Sequence, residues 1–501
     1  MAKRRRSSKD KPNGAMVKRK RPGSQLGDLP MDILCHIISL LPLKEAVRTG
    51  ILSKHWRYVW CSRTNLEFSF RSVMRRSYKG GPFILHPIQE VIKRIDAVLK
   101  QHSGVGVEKM EVDFLLNDEH ANHIDRWLNF AITAKTKQLI LNFTSVHPTM
   151  EPYKFPFQLF DATKSSIFQS LTLGSVSLNK PANFKAFLNL KKLMLIYVNI
   201  TDEELQLLLS NCKVLEFLGV ARCRMLTTIK TPQLSDHFKH LHVFHCPLVQ
   251  EINLNYGLTT LEYKYEGPSI PIAPPVTLTN LSIESSDVCS ALAYISTELP
   301  STVRRLEMLS LKCEELEGNR RRASPRAILP EKPLKFIHLR HLRLEITFLS
   351  LTKRKSDVLD FASLLEAAPL MEKLEFHMWM DCECVRYRKL DGKLRSLPPK
   401  PHYHLKLVDI TGFYGEKDQL ELALYILRNS VALEAMTIDP KPTVAAEQCR
   451  LTWKKDGFSY VDGYRVAKKY LLRADHRGVV DVVKAGRKDM SHLMLPHRWT
   501  R

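Results

Sequence analysis

One pattern constrains this chain more than any other. An apolar residue, two of any kind, a second apolar residue, one of any kind and a third apolar residue recur along most of its length. The series opens at Val107-x-x-Met110-x-Val112 and closes at Leu433-x-x-Met436-x-Ile438. Between them the central positions are Leu171, Leu193, Leu218, Leu241, Leu261, Leu281, Leu309, Leu342, Leu374 and Val408, with Leu139-x-Leu141 as a degenerate member. These thirteen central positions run from 110 to 436, a period of about 27 residues with single steps of 20 to 34. The alternation closing each unit is that of a short strand with one buried face, because side chains two apart share a face. A strand this short cannot bury that face alone. Units repeated at one period bury it against one another, which predicts a stack of parallel strands.

The array resembles a leucine-rich-repeat solenoid. That resemblance implies an α/β fold with parallel strands on a concave face and helices on the convex side. Leu215 to Cys223 and Phe238 to Cys246 carry the signature to its last position. The resemblance implies that both cysteines turn inward at the turn after the strand, and Cys212 stands just before a strand in a similar way. Asp202–Leu209 reads as an outer helix, capped by Thr201 with Glu204 completing a capping box. Residues flanking the central anchors then face the concavity. Met194, Ile196, Phe217 and Gly219 give an apolar start, followed by His240, His242 and Phe244. Later strands bring Glu262, Lys264, Asn280, Ser282, His341, Arg343, Lys373, Glu375 and His377, a charged surface. Met194, Ile196, Phe217, His240, His242, Phe244 and Arg343 are the candidates for contact with a protein target. A slip of one residue would invert every one of these assignments.

Residues 25–70 stand apart from the array. Asp28 is placed to cap a helix, with Pro30 near its first turn. Ile33, Ile37, Leu40 and Leu41 share one helical face, and Leu34 and Ile38 a neighbouring one. Pro42 ends the helix. Leu43–Thr49 predicts a second short helix, Gly50 a break and Leu52–Trp60 a third. Three short helices make a small core, so the apolar surplus needs a partner or the adjoining array. The string Leu29-Pro30-x-x-Ile33-Leu34-x-x-Ile37-x-x-x-Leu41-Pro42-x-Lys44-Glu45-Ala46-Val47-Arg48-Thr49, followed by Leu52-Ser53-Lys54-x-Trp56-Arg57-x-x-Trp60, strongly resembles the F-box of plant F-box proteins. The resemblance implies docking to a Skp-type adaptor, which links such proteins to a cullin–RING ubiquitin ligase. It implies that Leu29, Pro30, Ile33, Ile37, Leu41, Val47, Leu52 and Trp56 face the adaptor or shape the module. Residues 66–70 read as an entry strand, which points Trp56 and Trp60 toward the array.

At the other end, a strand to Ile410, a helix through Leu420, Leu422, Ala423, Tyr425, Ile426 and Leu427, and a strand from Leu433 resemble the FBD region of plant F-box/leucine-rich-repeat proteins. This would cap the solenoid. Tyr460–Asp475 predicts a basic helix with Tyr464, Ala467 and Leu471 on one face. Pro268–Pro275 reads as an extended linker. The division expected is 1–24 a disordered basic tail, 25–70 the F-box, 71–402 the solenoid, 403–440 the FBD-like region and 441–501 an extension.

Net charge is +24. Residues 1–21 hold ten Lys/Arg and one Asp, hence +9, which leaves +15 for the rest. Lys3, Arg4, Arg5 and Arg6 form one basic cluster and Lys18, Arg19, Lys20 and Arg21 another, resembling a bipartite nuclear-import signal. The first residues lack the apolar core of a secretory signal, no run of about 18 apolar residues predicts a membrane span, and the ten scattered cysteines read as reduced thiols. His237-x-x-His240-x-His242-x-x-His245 lacks the spacing and carboxylate partners of a zinc site, as does Cys382-Glu383-Cys384. No phosphate loop, nucleophile elbow or HExxH helix is present. The expectation is a non-catalytic protein of the nucleus, with the cytoplasm as a second location, and without metal or cofactor. It would act as the substrate-recognition subunit of an SCF-type ubiquitin ligase, binding a Skp-type adaptor and a protein target. The alternative is a basic nuclear scaffold or nucleic-acid-associated protein.

Overall fold

The computed structural model describes residues 29–52, 54–73, 88–104, 106–143, 151–160, 167–178, 187–231, 234–254, 256–265, 272–273, 278–285, 287–316, 334–349, 356–380, 386–444 and 460–484. The basic clusters Lys3–Arg6 and Lys18–Arg21, the Asp28 cap, Cys382, Cys384 and the residues from Arg487 onward lie outside them.

Among the described residues fifteen strands form one sheet in chain order, with only short minor strands skipped. Every neighbouring pair is parallel. The thirteen central anchors fall on one row: Met110 lies opposite Leu139, Leu139 opposite Leu171, and so on through Leu193, Leu218 and Leu241. The row continues through Leu261, Leu281, Leu309, Leu342 and Leu374 to Val408 and Met436. The row exists because each anchor is driven inward by burial: Leu139, Leu193, Leu218 and Leu241 are all 0% exposed. Each such leucine contributes about 1.5–3 kcal/mol relative to an exposed one. In Lys192–Ile196 the alternation is clear: Leu193 and Leu195 are buried, and Met194 and Ile196 are half-exposed.

Two strands extend the row. Asn65–Ser69 pairs Leu66 with Met110, the expected entry strand. Val480–Val482 pairs Val480 with Met436 and was not anticipated. The first anchor of its motif would be residue 477, which is an arginine. Arg477 serves another purpose: its guanidinium donates to Leu427 O at 2.9 Å and Ser430 O at 2.7 Å, closing the C-terminus of the Lys417–Asn429 helix.

The connecting segments are helical at Ile88–Gln101, Ala121–Thr133, Asp202–Leu209, Val288–Thr297 and Lys417–Asn429. Thr201 and Glu204 form the expected capping box, at 3.3 and 2.9 Å. The middle repeats depart from helices. There Thr228–Lys230, Glu251–Asn253 and Ile272–Ala273 build a second parallel sheet, which corrects the linker reading at Ile272 and Ala273. The cause is length: Leu218 to Leu241 is 23 residues and Leu241 to Leu261 is 20, leaving no room for a helix of several turns.

The FBD-like region is more buried than its pattern implied. In Lys417–Asn429 every residue from Gln419 to Leu427 is buried, Glu421 among them. Arg395 pairs with Glu421 at 2.5 Å and with Asp357 at 2.6 Å. Outside this helix packs Tyr460–Val466, continued by a wider π turn at Ala467–Leu471. The face it buries is Gly463, Val466, Ala467 and Leu471, with Tyr464 only half-buried, so the expected face is shifted. Gly463 makes the approach possible: a Cβ there would lie 1.9 Å from Phe413 O. Arg386 closes the contact on Asp462 at 2.5 Å.

Candidate functional site

Three short helices open the described chain: α1 (Met31–Ser39), α2 (Leu43–Thr49) and α3 (Lys54–Cys61). Their core is Leu34, Ile38, Ala46, Trp56, Val59 and Trp60. The buried face of α1 is therefore Leu34 and Ile38, and the richer stripe points outward. Ile33 is 42% exposed and Leu40 72%. Ile51 and Leu52, in the turn after α2, are 86% and 70% exposed. Among the adaptor candidates, Pro30, Ile33 and Leu52 are exposed, Leu29, Ile37, Leu41 and Val47 half-buried, and Trp56 buried. Trp56 shapes the module. Both tryptophans pack within the three helices rather than chiefly against the array, which corrects that expectation. Leu40 and Ile51 join Ile33 and Leu52 among the exposed apolar side chains of the module.

Gly50 acts by size. Its backbone is ordinary right-handed helix, but a Cβ would stand 2.8 Å from Trp60 Nε1. The break in the chain is thus also the floor on which Trp60 rests.

The module is fastened to the sheet through hydrogen bonds of Arg63 and His102 as well as through apolar contacts of α2. Arg63 donates to Leu41 O at 2.8 Å and Ile38 O at 3.3 Å, carbonyls at the C-terminal end of α1, and to Asn65 O at 2.8 Å in the entry strand. His102, at the end of the Ile88–Gln101 helix, holds Arg63 O at 2.8 Å, and Ser103 N donates to Cys61 O at 3.0 Å. Gly104 N donates to His102 Nδ1 at 3.0 Å, so the ring proton sits on Nε2. Burial pushes the His102 pKa down, against the pull of the Arg63 carbonyl. Leu43 joins the main core and Val98 packs on the small one, so the two cores meet here.

On the sheet's open face, the seven target candidates share one side in the expected register. Met194 lies opposite Gly219 and Gly219 opposite His242, while Ile196 aligns through Ala221 with Phe244. Phe217 lies opposite His240. Arg343 occupies the Met194 row six strands further on, about 29 Å away at a strand spacing of about 4.8 Å. Met194, Ile196 and Phe217 are half-exposed. Met194 folds over Gly219, where a Cβ would meet its sulfur at 2.1 Å. Phe244 is buried, with Lys264 Nζ 4.4 Å above its ring, so it supports the surface instead of offering one.

The charged half is internally paired. His240 and His242 both bind Glu262, at 3.1 and 3.0 Å, and their hydrogen bonds hold its carboxyl far below the ordinary range despite burial. Arg343 bridges Glu345 at 2.7 Å and Glu375 at 2.6 Å. Burial opposes ionisation of Glu375, but hydrogen bonds from Lys373 and His377 and the charge of Arg343 bring its pKa down to about 2. Glu375 and His377 are buried, and Thr443 reaches His377 Nδ1 at 3.2 Å. These two residues belong to a covered ion-pair network, a correction to their reading as open surface. Among the described residues no group of three or more His, Cys, Asp or Glu is placed to hold a metal ion, and no helix is long and apolar enough to cross a membrane.

Cys223 and Cys246 turn inward as the repeat signature implied. Each thiol faces the carbonyl of the strand before, Leu195 O and Val220 O, both at 3.8 Å.

Comparison with known proteins bears on both parts. The family model described as "At1g61320/AtMIF1, LRR domain" matches residues 98–480, and the F-box domain model matches residues 26–68. An F-box/FBD/LRR-repeat protein of Arabidopsis thaliana, At5g56420, is 24% identical over 84% of this chain and 92% of its own length. Another, At1g13570, is 27% identical over 46% of this chain, a match that spans only 53% of that relative. Among solved structures, an internalin (inlF) of Listeria monocytogenes superposes over 73% of this chain and 96% of its own, at 14% identity and a TM-score of 0.31, too loosely to bear on the fold.

Proposed function

The chain belongs to the At1g61320/AtMIF1 leucine-rich-repeat family and carries an F-box ahead of that domain, and from this we propose that it is the substrate-recognition subunit of an SCF-type cullin–RING ubiquitin ligase. The observation that carries the reading is the set of large apolar side chains left exposed on the three-helix module. Ile33, Leu40, Ile51 and Leu52 are exposed although the module already has its own core. Large apolar side chains left exposed beside a finished core favour protein docking, and a Skp-type adaptor is the partner its F-box sequence supports. The target lies on the open sheet face, with Met194, Ile196 and Phe217 as apolar contacts and His240, His242 and Arg343 as polar ones. The subunit does no chemistry. It raises the effective concentration of its target near a ubiquitin-loaded enzyme. The rigid clasp of Arg63 and His102 suits this, because a fixed module holds the target at one distance and angle.

The test is co-purification with a Skp-type adaptor. Ile33→Glu and Leu52→Glu, both at exposed positions, are expected to weaken capture at least tenfold with an unchanged melting temperature. Full capture by the double variant would overturn the reading. We also propose nuclear import through Lys3, Arg4, Arg5, Arg6, Lys18, Arg19, Lys20 and Arg21. A tagged protein lacking residues 1–21 is then expected to leave the nucleus, and an unchanged distribution would refute the assignment.

A further inference from the structure

A cavity at the C-terminal rim of the sheet belongs to neither surface described above. It opens where successive strands turn. Directly after their last residues, Ser175, Tyr197, Arg222 and His245 enter the left-handed region at φ 53°, 53°, 55° and 49°. Each amide donates to a carbonyl at the end of the next strand: Ser175 to Ile196 O at 2.8 Å, Tyr197 to Ala221 O at 2.8 Å, Arg222 to Phe244 O at 2.7 Å and His245 to Lys264 O, one residue short of its strand's last, at 3.2 Å. This backbone conformation costs any L residue with a side chain about 1–2 kcal/mol. Three large side chains nevertheless stand there in a row, Tyr197, Arg222 and His245.

All three line one cavity of about 300 Å³, together with Arg224, Cys246 and Lys264. Among the described residues no carboxylate lines it. Arg222 is held by the face of Tyr197, 5.0 Å from its ring centre, and by the Tyr197 hydroxyl. Its guanidinium is thus oriented, and among the described residues no carboxylate pairs with it. Arg224 is exposed beside it. Lys264 is already engaged by Glu284 and Phe244. The uncompensated charge is therefore that of two guanidinium groups, whose planar forks match tetrahedral oxyanions. A single carboxylate would balance one of them. A phosphate monoester carries about −1.5 to −2 at neutral pH with three acceptor oxygens, enough for both.

We propose that this cavity binds a phosphate monoester. Ile196 and Phe244, on the open face, directly precede Tyr197 and His245. A protein segment lying on that face would bring a phosphorylated serine or threonine to the rim. This source rests on the target-surface reading above, whereas the cavity and its charge do not.

The test uses the full chain and calorimetry with three probes: phosphoserine peptides of randomised flanking sequence, the same peptides unphosphorylated, and inorganic phosphate. Phosphorylated peptides are expected to bind at least tenfold more tightly than unphosphorylated ones. Arg222→Gln with Arg224→Gln is expected to remove that difference while melting temperature and adaptor capture stay as in the wild type. Phosphate binding as tightly as the peptides would assign the group to a free solute, still within the proposal. Equal affinity for both peptide sets with no binding of phosphate would overturn it, as would a double variant that binds every probe like the wild type. Adaptor capture is measured separately, so its failure would count against the ligase reading alone.

Discussion

Single residues in this protein act through what their own strand and the strand before place against them. Glu375 shows how. Its carboxyl is held at about 2 by Lys373, His377 and Arg343 against the effect of burial. Its ordinary value in an unfolded chain is about 4.3. A group depressed on folding contributes stability that is complete above the unfolded value and is lost as pH falls toward the folded one. Denaturant midpoints measured between pH 6 and pH 2.5 are therefore expected to fall less steeply below pH 4.5 in Glu375→Gln than in the wild type. Parallel curves would show that Glu375 does not contribute. Gly412 is a second case. Its φ is 69°, and a Cβ would lie 1.9 Å from Met378 O. Gly412→Ala combines left-handed strain with a backbone collision, for an expected loss of about 2–5 kcal/mol in urea unfolding. A loss below about 0.5 kcal/mol would mean that the strand can move aside.

Among elements, the decisive one is the clasp between the three-helix module and the sheet. Arg63 closes the end of α1 and reaches the entry strand, and His102 holds Arg63 from the first repeat helix. The geometry needs a neutral imidazole, because Nδ1 accepts from Gly104 N. Burial lowers the His102 pKa, so the clasp is complete above about 6.5, the ordinary histidine value, and weakens as pH falls through the folded value. Amide exchange at Ser103 and Gly104, corrected for its intrinsic pH dependence, is expected to speed up between pH 7.5 and pH 5.5. It should do so in the wild type more than at Leu218 or Leu241 in the middle of the sheet. Arg63→Ala should release the module at every pH, read as faster exchange in α1 at an unchanged rate in the sheet. Equal exchange throughout would mean that apolar contact at Leu43 and Val98 suffices.

For the whole molecule, the issue is how a stack of strands ends. One end is covered by the module and its entry strand. The other is covered by Tyr460–Ala474 and the Val480–Val482 strand, which pairs the edge left open by Ala435–Asp439. An unpaired parallel edge is a template for aggregation. Truncation after residue 459 is expected to uncover that edge and the apolar Lys417–Asn429 helix together. Light scattering at rising temperature should then report association at lower temperature than for the full chain. An unchanged onset would mean that the FBD-like region closes the solenoid without the extension.

The sequence by itself determined the repeat and its register. Leucines at a fixed spacing have one face to bury, and a slipped pairing would expose them, so thirteen anchors fall on one row as their pattern required. It also located the module, because helical periodicity and Pro42 act within a few residues. Tertiary structure alone decided which stripe of α1 points outward, since Ile33 and Leu34 are equally apolar and only the positions of Trp56 and Trp60 separate them. It alone decided the last strand, whose motif is broken at Arg477 because that arginine closes a helix end 50 residues earlier. It alone decided that Glu375 and His377 are covered and that Tyr197, Arg222 and His245 share one cavity. Burial follows from periods within a segment, whereas ion pairs and cavities depend on side chains from different repeats, whose distance apart is set only when the strands stack.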